Sequence, residues 1–167
     1  MYDELTKEDI RKMKEELLHR KRDVRQEVVK ELQAARALGD LSENFEYYAA
    51  KRANGQNNSR IQYLENMIRT ARVIEDTSEE DTVGINDRIT VEYPEDGTQE
   101  VWRIVTTVRQ NVLEGLIGLD SPAAKALMGR RTGETVTIRV SDSFSYEVKI
   151  AGIEKIADES GDRLNSY

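Results

Sequence analysis

The sequence predicts an α+β protein, with an N-terminal antiparallel two-helix coiled-coil hairpin and a small C-terminal antiparallel β domain that carries one short helix. Residues 7–37 contain no glycine or proline and repeat apolar side chains at heptad spacing. Beyond residue 82 the apolar periodicity changes from helical to alternating. Charged residues make up 34% of the chain, which fits exposed helices better than one large core.

The first helix is predicted to begin after Thr6, which forms a plausible N-terminal capping pair with Asp9. The remainder of the segment is strongly polar, so only a narrow stripe can be buried, and a narrow stripe needs one partner helix. The apolar positions of that stripe are Ile10, Met13, Leu17, Val24, Val28, Ala35 and Leu38.

The second helix is predicted from about residue 42 to 74, after Gly39 ends the first. The short connection makes the two helices antiparallel neighbours, and helices of about 30 residues extend roughly 45 Å. Residues 54–59 are poor helix formers, so packing must keep them helical. The seam of this helix is Ile61, Leu64, Ile68 and Ala71.

The C-terminal part is predicted to contain five strands and one helix, after the hairpin of residues 1–75 and an acidic linker at 76–82. The domain itself spans 83–156, and a polar, frayed tail follows at 157–167. Ser121 caps the short helix, Pro122 begins it and Gly129 stops it. The predicted strands are Arg88–Tyr93, Glu100–Val108, Leu113–Gly118, Thr135–Val140 and Ser145–Ile153.

Composition and charge exclude several classes of function. The net charge is −7, and residues 76–167 carry 10 basic and 18 acidic side chains, which argues against a general DNA-coating protein. The chain has no cysteine and a single histidine, His19, expected on the surface. Disulfides, thiolate metal sites, a catalytic triad and a histidine metal cluster are therefore excluded. No membrane span or secretory signal is visible, so a cytoplasmic protein is expected.

The few aromatic side chains of the C-terminal domain suggest no ligand pocket by themselves. Trp102, Phe144 and Tyr146 are most simply interpreted as core or edge residues of the small sheet. A prolyl isomerase would need an aromatic-lined pocket, and these residues alone do not predict one. No glycine-rich phosphate loop is present either.

The connection between the helices carries two carboxylates, Asp40 and Glu43, three residues apart. The spacing is that of a capping box, in which Asp40 caps the second helix and Glu43 bonds back to it. The same pair could also provide oxygen ligands for Mg²⁺, which is often held by one or two carboxylates together with groups from elsewhere. The two interpretations are compatible, since a capping box places both carboxylates close together.

The residues around this tip match a long motif, with residues 35–51 reading ARALGDLSENFEYYAAK. This segment resembles the signature of the bacterial Gre transcript cleavage factors, GreA and GreB. The similarity continues through residues 60–65, 71–74, 102–105 and 119–129, and so covers nearly the whole chain.

The resemblance implies a partner and a role for each matched residue. Gre factors bind bacterial RNA polymerase through an FKBP-like C-terminal domain, and their hairpin enters its secondary channel, where the tip helps cleave a backtracked transcript near its 3′ end. The protein would act in trans, as a monomer, with no cofactor of its own and Mg²⁺ shared with the polymerase active site. The residues implied are Asp40 and Glu43 for the metal, Gly39, Asn44, Glu46 and Tyr47 for tip support, Lys51 and, by position, Arg52 for RNA, and Asp120, Ser121 and Pro122 for polymerase.

One departure and two alternatives remain. Family members commonly carry Glu-Ala-Asp where this chain has Thr106–Gln110, which suggests a divergent paralogue. Some relatives inhibit the polymerase channel instead of stimulating cleavage, although the intact tip from Gly39 to Asn44 favours stimulation. The third hypothesis is a coiled-coil adaptor in which Asp40 and Glu43 are only a helix cap.

Overall fold

The computed structural model describes residues 3–39, 44–157 and 159–166, which form two compact units. The helical unit contains Ile10–Ala71 with the first residues of the chain, and the sheet unit contains Glu4–Asp9 with Arg72–Tyr167. The combination of a helical hairpin with a separate sheet confirms the predicted α+β class. Within the described residues, no helix is both long and apolar enough to cross a bilayer.

The helical unit is a hairpin whose first arm is interrupted. Its helices are α1 (Lys7–His19), α2 (Arg25–Arg36) and α3 (Phe45–Thr70), and a π-helical turn, Arg20–Val24, joins α1 to α2. The sequence predicted a single continuous helix here. A π turn keeps helical backbone angles and so leaves little trace in apolar periodicity, which explains why the pattern did not reveal it.

The apolar seam of the hairpin is narrow. Met13, Val28 and Ala35 are buried, as predicted, but Leu38 is 67% exposed. Because α2 ends at Arg36, Leu38 no longer lies on the helical face that packs against α3. The buried apolar residues of α3 are Ala50, Ile61 and Leu64.

A layer of polar side chains occupies the middle of the hairpin. Glu16 accepts hydrogen bonds from Arg60 Nε at 2.9 Å and Nη2 at 3.1 Å, and from Arg20 Nε at 2.8 Å. Asn57, only 2% exposed, donates to the Arg20 carbonyl, which also accepts the π-type bond from the Arg25 amide. The predicted weak turn at 54–59 is helical, and this buried contact stabilises it there.

The C-terminal boundary of the second helix differs from the prediction. Helix α3 ends at Thr70, and Ala71 has an extended backbone (φ −64°, ψ 139°). Arg72–Val73 then forms strand β2, which pairs in parallel with β1, Glu4–Leu5. Two-residue strands carry no periodic signal, so neither strand was predicted.

The main sheet of the sheet unit has five strands in the order β5-β4-β3-β7-β6. Strand β5 pairs with β4 in parallel, and the other three pairs are antiparallel. The predicted wholly antiparallel domain is therefore wrong at this pair, because two short 3₁₀ turns, Thr107–Arg109 and Val112–Glu114, reverse the chain twice between the strands. The strands are β3 (Arg88–Glu92), β4 (Gln99–Val105), β5 (Leu116–Gly118), β6 (Thr135–Arg139) and β7 (Ser145–Glu154).

One face of this sheet carries the core, which the short helix α4 (Pro122–Leu127) helps to close. Ala124 and Leu127 of α4 are fully buried. Ser121 caps the helix by accepting a 3.1 Å bond from the Ala124 amide, and Gly129 follows it with φ +79°. The strands contribute Ile89, Val91, Trp102, Ile104, Val136, Ile138, Val148 and Ile150 to the core.

The sheet unit also contains a buried guanidinium, that of Arg109, which binds several polar side chains. Arg109 is 1% exposed and pairs at 2.7 Å with Asp9 and at 2.7 Å with Asp162. Thr106 donates to Asp9 at 2.7 Å. Asp162 lies in the segment that was expected to be frayed, and that expectation is wrong, because Asn165 also donates to the Val108 carbonyl at 2.7 Å.

Candidate functional site at the hairpin tip

The sequence-predicted site residues fall into two groups, one on each unit. Gly39, Asn44, Glu46, Tyr47, Lys51 and Arg52 belong to the helical unit, and Asp120, Ser121 and Pro122 belong to the sheet unit. The predicted metal-assisting pair, Asp40 and Glu43, lies outside the described residues. The structure describes the residues on either side of that pair, Gly39 and Asn44.

The first arm of the hairpin ends in a left-handed glycine. After α2 ends at Arg36, the Leu38 amide bonds to the Ala35 carbonyl at 3.2 Å. Gly39 then has φ +100°, a conformation that side chains other than glycine adopt only under strain. This glycine ends the turn that follows α2 and is the last described residue before the acidic pair in the sequence.

The second arm begins at Asn44, which links the two helices. Its side-chain oxygen accepts a 3.0 Å bond from the Tyr47 amide and so caps α3, while its Nδ2 donates to the Ala35 carbonyl of the first arm at 2.6 Å. The cap of α3 is therefore Asn44, and the predicted capping role of Asp40 is wrong for this helix. Since Asn44 caps the helix, Asp40 and Glu43 are not needed for that purpose.

Aromatic and basic side chains pack beside this cap. The guanidinium of Arg36 lies 5.8 Å from the ring centroid of Tyr47, within the range of a cation–π contact. Tyr47 also meets Tyr48 edge to face, with ring centroids 5.5 Å apart. Glu46 is exposed in the first turn of α3, where a carboxylate is favoured by the helix dipole.

The two predicted RNA-contacting residues lie further along α3. Lys51 and Arg52 are both exposed, about two turns beyond the cap. Lys51 is four residues from Tyr47 and three from Tyr48, so these side chains share a face of the helix. The tip thus combines cationic and aromatic groups with the acidic segment.

Apolar side chains at the tip also face solvent. Phe45 is 87% exposed, Leu38 67% and Tyr48 47%. An isolated exposed side chain is ordinary, but three near one helix end form a surface suited to contact with another macromolecule.

The second group of predicted residues forms the loop before α4. Asp120 and Pro122 are exposed, and the Ser121 amide bonds to the Gly118 carbonyl at 2.9 Å. A Cβ on Gly118 would lie 2.2 Å from the Gln110 side chain and 2.9 Å from the Asp120 carboxylate. The absence of a side chain at Gly118 is therefore what allows this compact turn to present Asp120.

The chemistry of the tip fits an incomplete metal site. Carboxylate oxygens are the ligands that Mg²⁺ prefers, and the tip segment contributes two, from Asp40 and Glu43. Among the described residues, no group of three His, Cys, Asp or Glu side chains is placed to hold a metal ion. Two carboxylates would leave most positions around Mg²⁺ to be filled by another molecule.

Two protein-family models match this chain in succession. The model described as transcription elongation factor, N-terminal, matches residues 4–73, and the model described as transcription elongation factor, GreA/GreB, C-terminal, matches residues 78–155. The chain belongs to the GreA/GreB family of transcription elongation factors. The Gre resemblance seen in the sequence is thereby confirmed.

Relatives named transcription elongation factor GreA match most of the chain. The factor of Geobacillus kaustophilus is 46% identical over 137 residues, covering 81% of this chain and 86% of the relative. That of Thermotoga maritima is 35% identical over 151 residues, covering 90% and 97%. A solved structure of the transcription factor Gfh1 covers 93% of this chain and 99% of its own, at 26% identity and a TM-score of 0.45.

Two arrangements were not anticipated from the sequence. The departure from the Gre pattern at Thr106–Gln110 supplies Thr106 and Arg109 to the buried network. The aromatic residues Tyr93, Phe144 and Tyr146 come together on one side of the sheet unit. For the buried network, the only signal in the sequence was Arg109 within the 3₁₀ segment Thr107–Arg109. The aromatic group could not be predicted, because 50 residues separate Tyr93 from Phe144.

Proposed function

We propose that this Gre-family factor binds bacterial RNA polymerase and stimulates cleavage of backtracked transcripts, with Asp40 and Glu43 assisting a Mg²⁺ ion of the polymerase. The observation that carries the proposal is the cap at Asn44. Because Asn44 both caps α3 and bonds to the carbonyl of Ala35, the cap of α3 does not require the carboxylate of Asp40 or Glu43.

The hairpin construction supports the delivery of these groups. One asparagine, Asn44, links the two helices at the point where the acidic segment joins α3 in the sequence. The seam beneath it is narrow, with Ala35 and Ala50 as the buried residues of the two helices near the tip. Small side chains keep two helices close together, which suits a narrow recess in a partner.

The proposed roles of this chain's residues follow from their types. Asp40 and Glu43 would supply oxygen ligands to Mg²⁺ held mainly by the polymerase, and the ion would supply charge neutralisation and an activated water for phosphodiester hydrolysis. Lys51 and Arg52, both exposed, would attract the phosphates of the extruded RNA 3′ end. The chain is then a trans-acting factor, and the polymerase is the enzyme.

Polymerase recognition is proposed for a separate surface, the loop of Asp120, Ser121 and Pro122. Asp120 is exposed and held by a compact turn, and Pro122 lacks an amide hydrogen and fixes its own φ angle. A rigid loop loses little conformational entropy on binding. Binding and cleavage should therefore be separable by mutation.

The experiment is a cleavage assay on stalled, backtracked elongation complexes, with polymerase binding measured in parallel. The double variant Asp40→Asn, Glu43→Gln should lose at least about a hundredfold of cleavage stimulation, as expected when metal ligands are removed, while binding persists. Asp120→Asn should weaken binding instead. Glu31→Gln is the matched control, since Glu31 is an exposed carboxylate on α2.

Three outcomes would contradict the proposal. Wild-type cleavage by the double variant would remove Asp40 and Glu43 from the mechanism. Slower RNA synthesis without cleavage, at saturating wild-type protein, would favour a channel inhibitor of the same family. Failure to retain polymerase in a pull-down would favour the adaptor hypothesis.

A further inference from the structure

A cleft of about 530 Å³ opens at one end of the main sheet, and none of the residues implicated above lines it. It lies between the turn at residues 93–98 and the N-terminal part of β7. Strand β3 stops at Glu92, opposite Lys149, because Pro94 cannot donate to a ladder, whereas β7 continues back to Ser145 with β6 as its partner. The cleft is the gap left beside β7 where β3 ends.

One wall of the cleft is aromatic. The rings of Tyr93 and Tyr146 have centroids 6.3 Å apart, and Phe144 continues the row at 6.1 Å from Tyr146. Both tyrosines are partly buried against the core, while Phe144 is 57% exposed. Tyr93 and Tyr146 line the cleft, and Phe144 extends the row beyond it.

Carboxylates surround this wall. Glu100 Oε2 accepts from the Tyr93 hydroxyl at 3.2 Å and from Trp102 Nε1 at 3.0 Å, which holds it beside the rings. Burial, and then the charge of Glu100, raises the pKa of the Tyr93 hydroxyl, so that it stays protonated as the donor. The remaining carboxylates, Glu95, Asp96 and Glu147, line the cleft.

These carboxylates are not neutralised locally. Within the described part of the chain, Glu95, Glu100 and Glu147 form no ion pair. The Asp96 carboxylate accepts hydrogen bonds from the amide and the hydroxyl of Thr98. These bonds lower the pKa of the carboxyl and keep it charged. The cleft thus has several negative charges beside an aromatic wall, and no basic side chain among the described residues forms an ion pair with them.

We propose that this cleft binds an arginine side chain presented by an extended segment of a partner protein. A guanidinium stacks on aromatic rings and donates to carboxylates at the same time, which matches both features of the site. An ammonium is more strongly hydrated and lacks the planar face. The strand edge of β7 beside the cleft offers main-chain groups that an extended segment can pair with.

This proposal is independent of transcript cleavage, because no residue of the cleft belongs to the tip or to the Asp120 loop. Binding at this site can be observed directly through Trp102. Trp102 is the only tryptophan of the chain, and its indole N–H donates to Glu100 at the edge of the site. Its single indole resonance in a proton–nitrogen correlation spectrum therefore reports occupancy of the cleft.

The experiment titrates the isotope-labelled full-length chain with acetyl-Gly-Arg-Gly-amide and with matched peptides carrying lysine or citrulline. The arginine peptide should shift the Trp102 indole resonance in a saturable way. The citrulline peptide, which keeps the shape and loses the charge, should bind about tenfold more weakly or worse. The lysine peptide should fall between the two.

Variants then locate the binding. Glu100→Gln and Tyr146→Leu should each weaken the arginine peptide by about fivefold or more. Glu154→Gln removes the same charge from an exposed position on β7 and should leave the affinity unchanged. Because Glu100 is exposed, its variant remains informative even where Tyr146→Leu disturbs folding.

The proposal is overturned by any of three results: no saturable shift, equal binding of arginine and citrulline peptides, or equal binding of arginine and lysine peptides. A loss of affinity in Glu154→Gln as large as that in Glu100→Gln would also overturn it, since it would show attraction to net charge alone.

Discussion

At the scale of single residues, Arg109 shows how this chain accommodates its departure from the Gre pattern. A buried guanidinium is tolerated only when anions and acceptors surround it. Arg109 meets Asp9, Asp162 and the Asn86 side chain, each at 2.7 Å. These partners come from three distant parts of the sequence, so Arg109 joins the start of α1 to the C-terminal segment within the sheet unit.

Replacing this arginine should destabilise the sheet unit. Arg109→Met removes the cation paired with the buried carboxylate of Asp9 and leaves Asp162 with Arg103 as its partner. The variant should lower the free energy of unfolding of the sheet unit by about 3–5 kcal/mol. Chemical denaturation followed by Trp102 fluorescence measures this loss. The matched control is Arg88→Met, because Arg88 forms an exposed pair with Glu154 worth less than about 1 kcal/mol. Equal losses of unfolding free energy in the two variants would show that the buried network stabilises the sheet unit no more than an exposed ion pair does.

At the scale of elements, the hairpin depends on a polar layer as well as on its apolar seam. Burial alone would raise the pKa of the Glu16 carboxyl, but the bonds and charges of Arg60 and Arg20 outweigh burial and lower that pKa below its ordinary 4.5. A carboxyl whose pKa is lower in the folded than in the unfolded state stabilises the fold at pH values above the unfolded value. That contribution is lost as the pH falls through the folded value.

Acid should therefore weaken the hairpin through Glu16. Thermal unfolding followed by far-ultraviolet circular dichroism should show the wild-type helical unit losing stability as the pH drops below about 4.5. Glu16→Gln should lower stability near neutral pH by about 1–3 kcal/mol, because it weakens charge-assisted hydrogen bonds, and should flatten the acid dependence. Glu15→Gln, at an exposed neighbouring position, should do neither. An unchanged acid dependence in Glu16→Gln would remove this carboxylate as the cause.

At the scale of the whole molecule, the C-terminal segment is part of the sheet unit. Glu159 accepts from Thr6 and from Asn86, each at 2.6 Å, and Asp162 accepts from Arg103 at 2.6 Å. The family model ends at residue 155, so these contacts lie outside the region that defines the Gre match. The bonds of Asp162 and the charges of Arg103 and Arg109 outweigh burial and lower the pKa of the Asp162 carboxyl.

Removing this segment should destabilise the sheet unit. Truncation after Ala157 removes Asp162, which pairs with both Arg103 and Arg109, while Asp9 stays paired with Arg109. It should lower the free energy of unfolding by at least about 2 kcal/mol. The measurement is again denaturation followed by Trp102 fluorescence. Truncation after Asn165 retains the bonds of Asp162 and Asn165 and should leave stability nearly unchanged. A truncation after Ala157 that unfolds like the full chain would show the segment to be dispensable.

Prediction from the sequence succeeded where the signal was periodic or local. The α+β class followed from a heptad seam and a change to alternation, and the capping pair Thr6 and Asp9 is present, with the Thr6 amide donating to Asp9 at 3.0 Å. The short helix after Ser121 is also where the pattern placed it. His19 is on the surface, where its ring lies 3.0 Å from Asp23.

Prediction was incomplete where partners are distant in sequence. Asn44 caps α3 and its side chain also donates to the Ala35 carbonyl of the other arm. Residue spacing within one helix does not encode such a contact between two helices. The parallel pairing of β5 with β4 depends on a double chain reversal, and the two-residue strands β1 and β2 exist only because they meet each other.

The sequence alone determined the acidic tip, the paired helices and the Gre signature, because these depend on contiguous residues and on short-range periodicity. Tertiary structure alone decided that Asn44 caps α3, that Arg109 pairs with Asp162 of the C-terminal segment, and that two tyrosine rings and three carboxylates line one cleft. The physical reason is the same in each case. Desolvated charges and stacked rings are set by which distant groups surround them, and no local spacing specifies that.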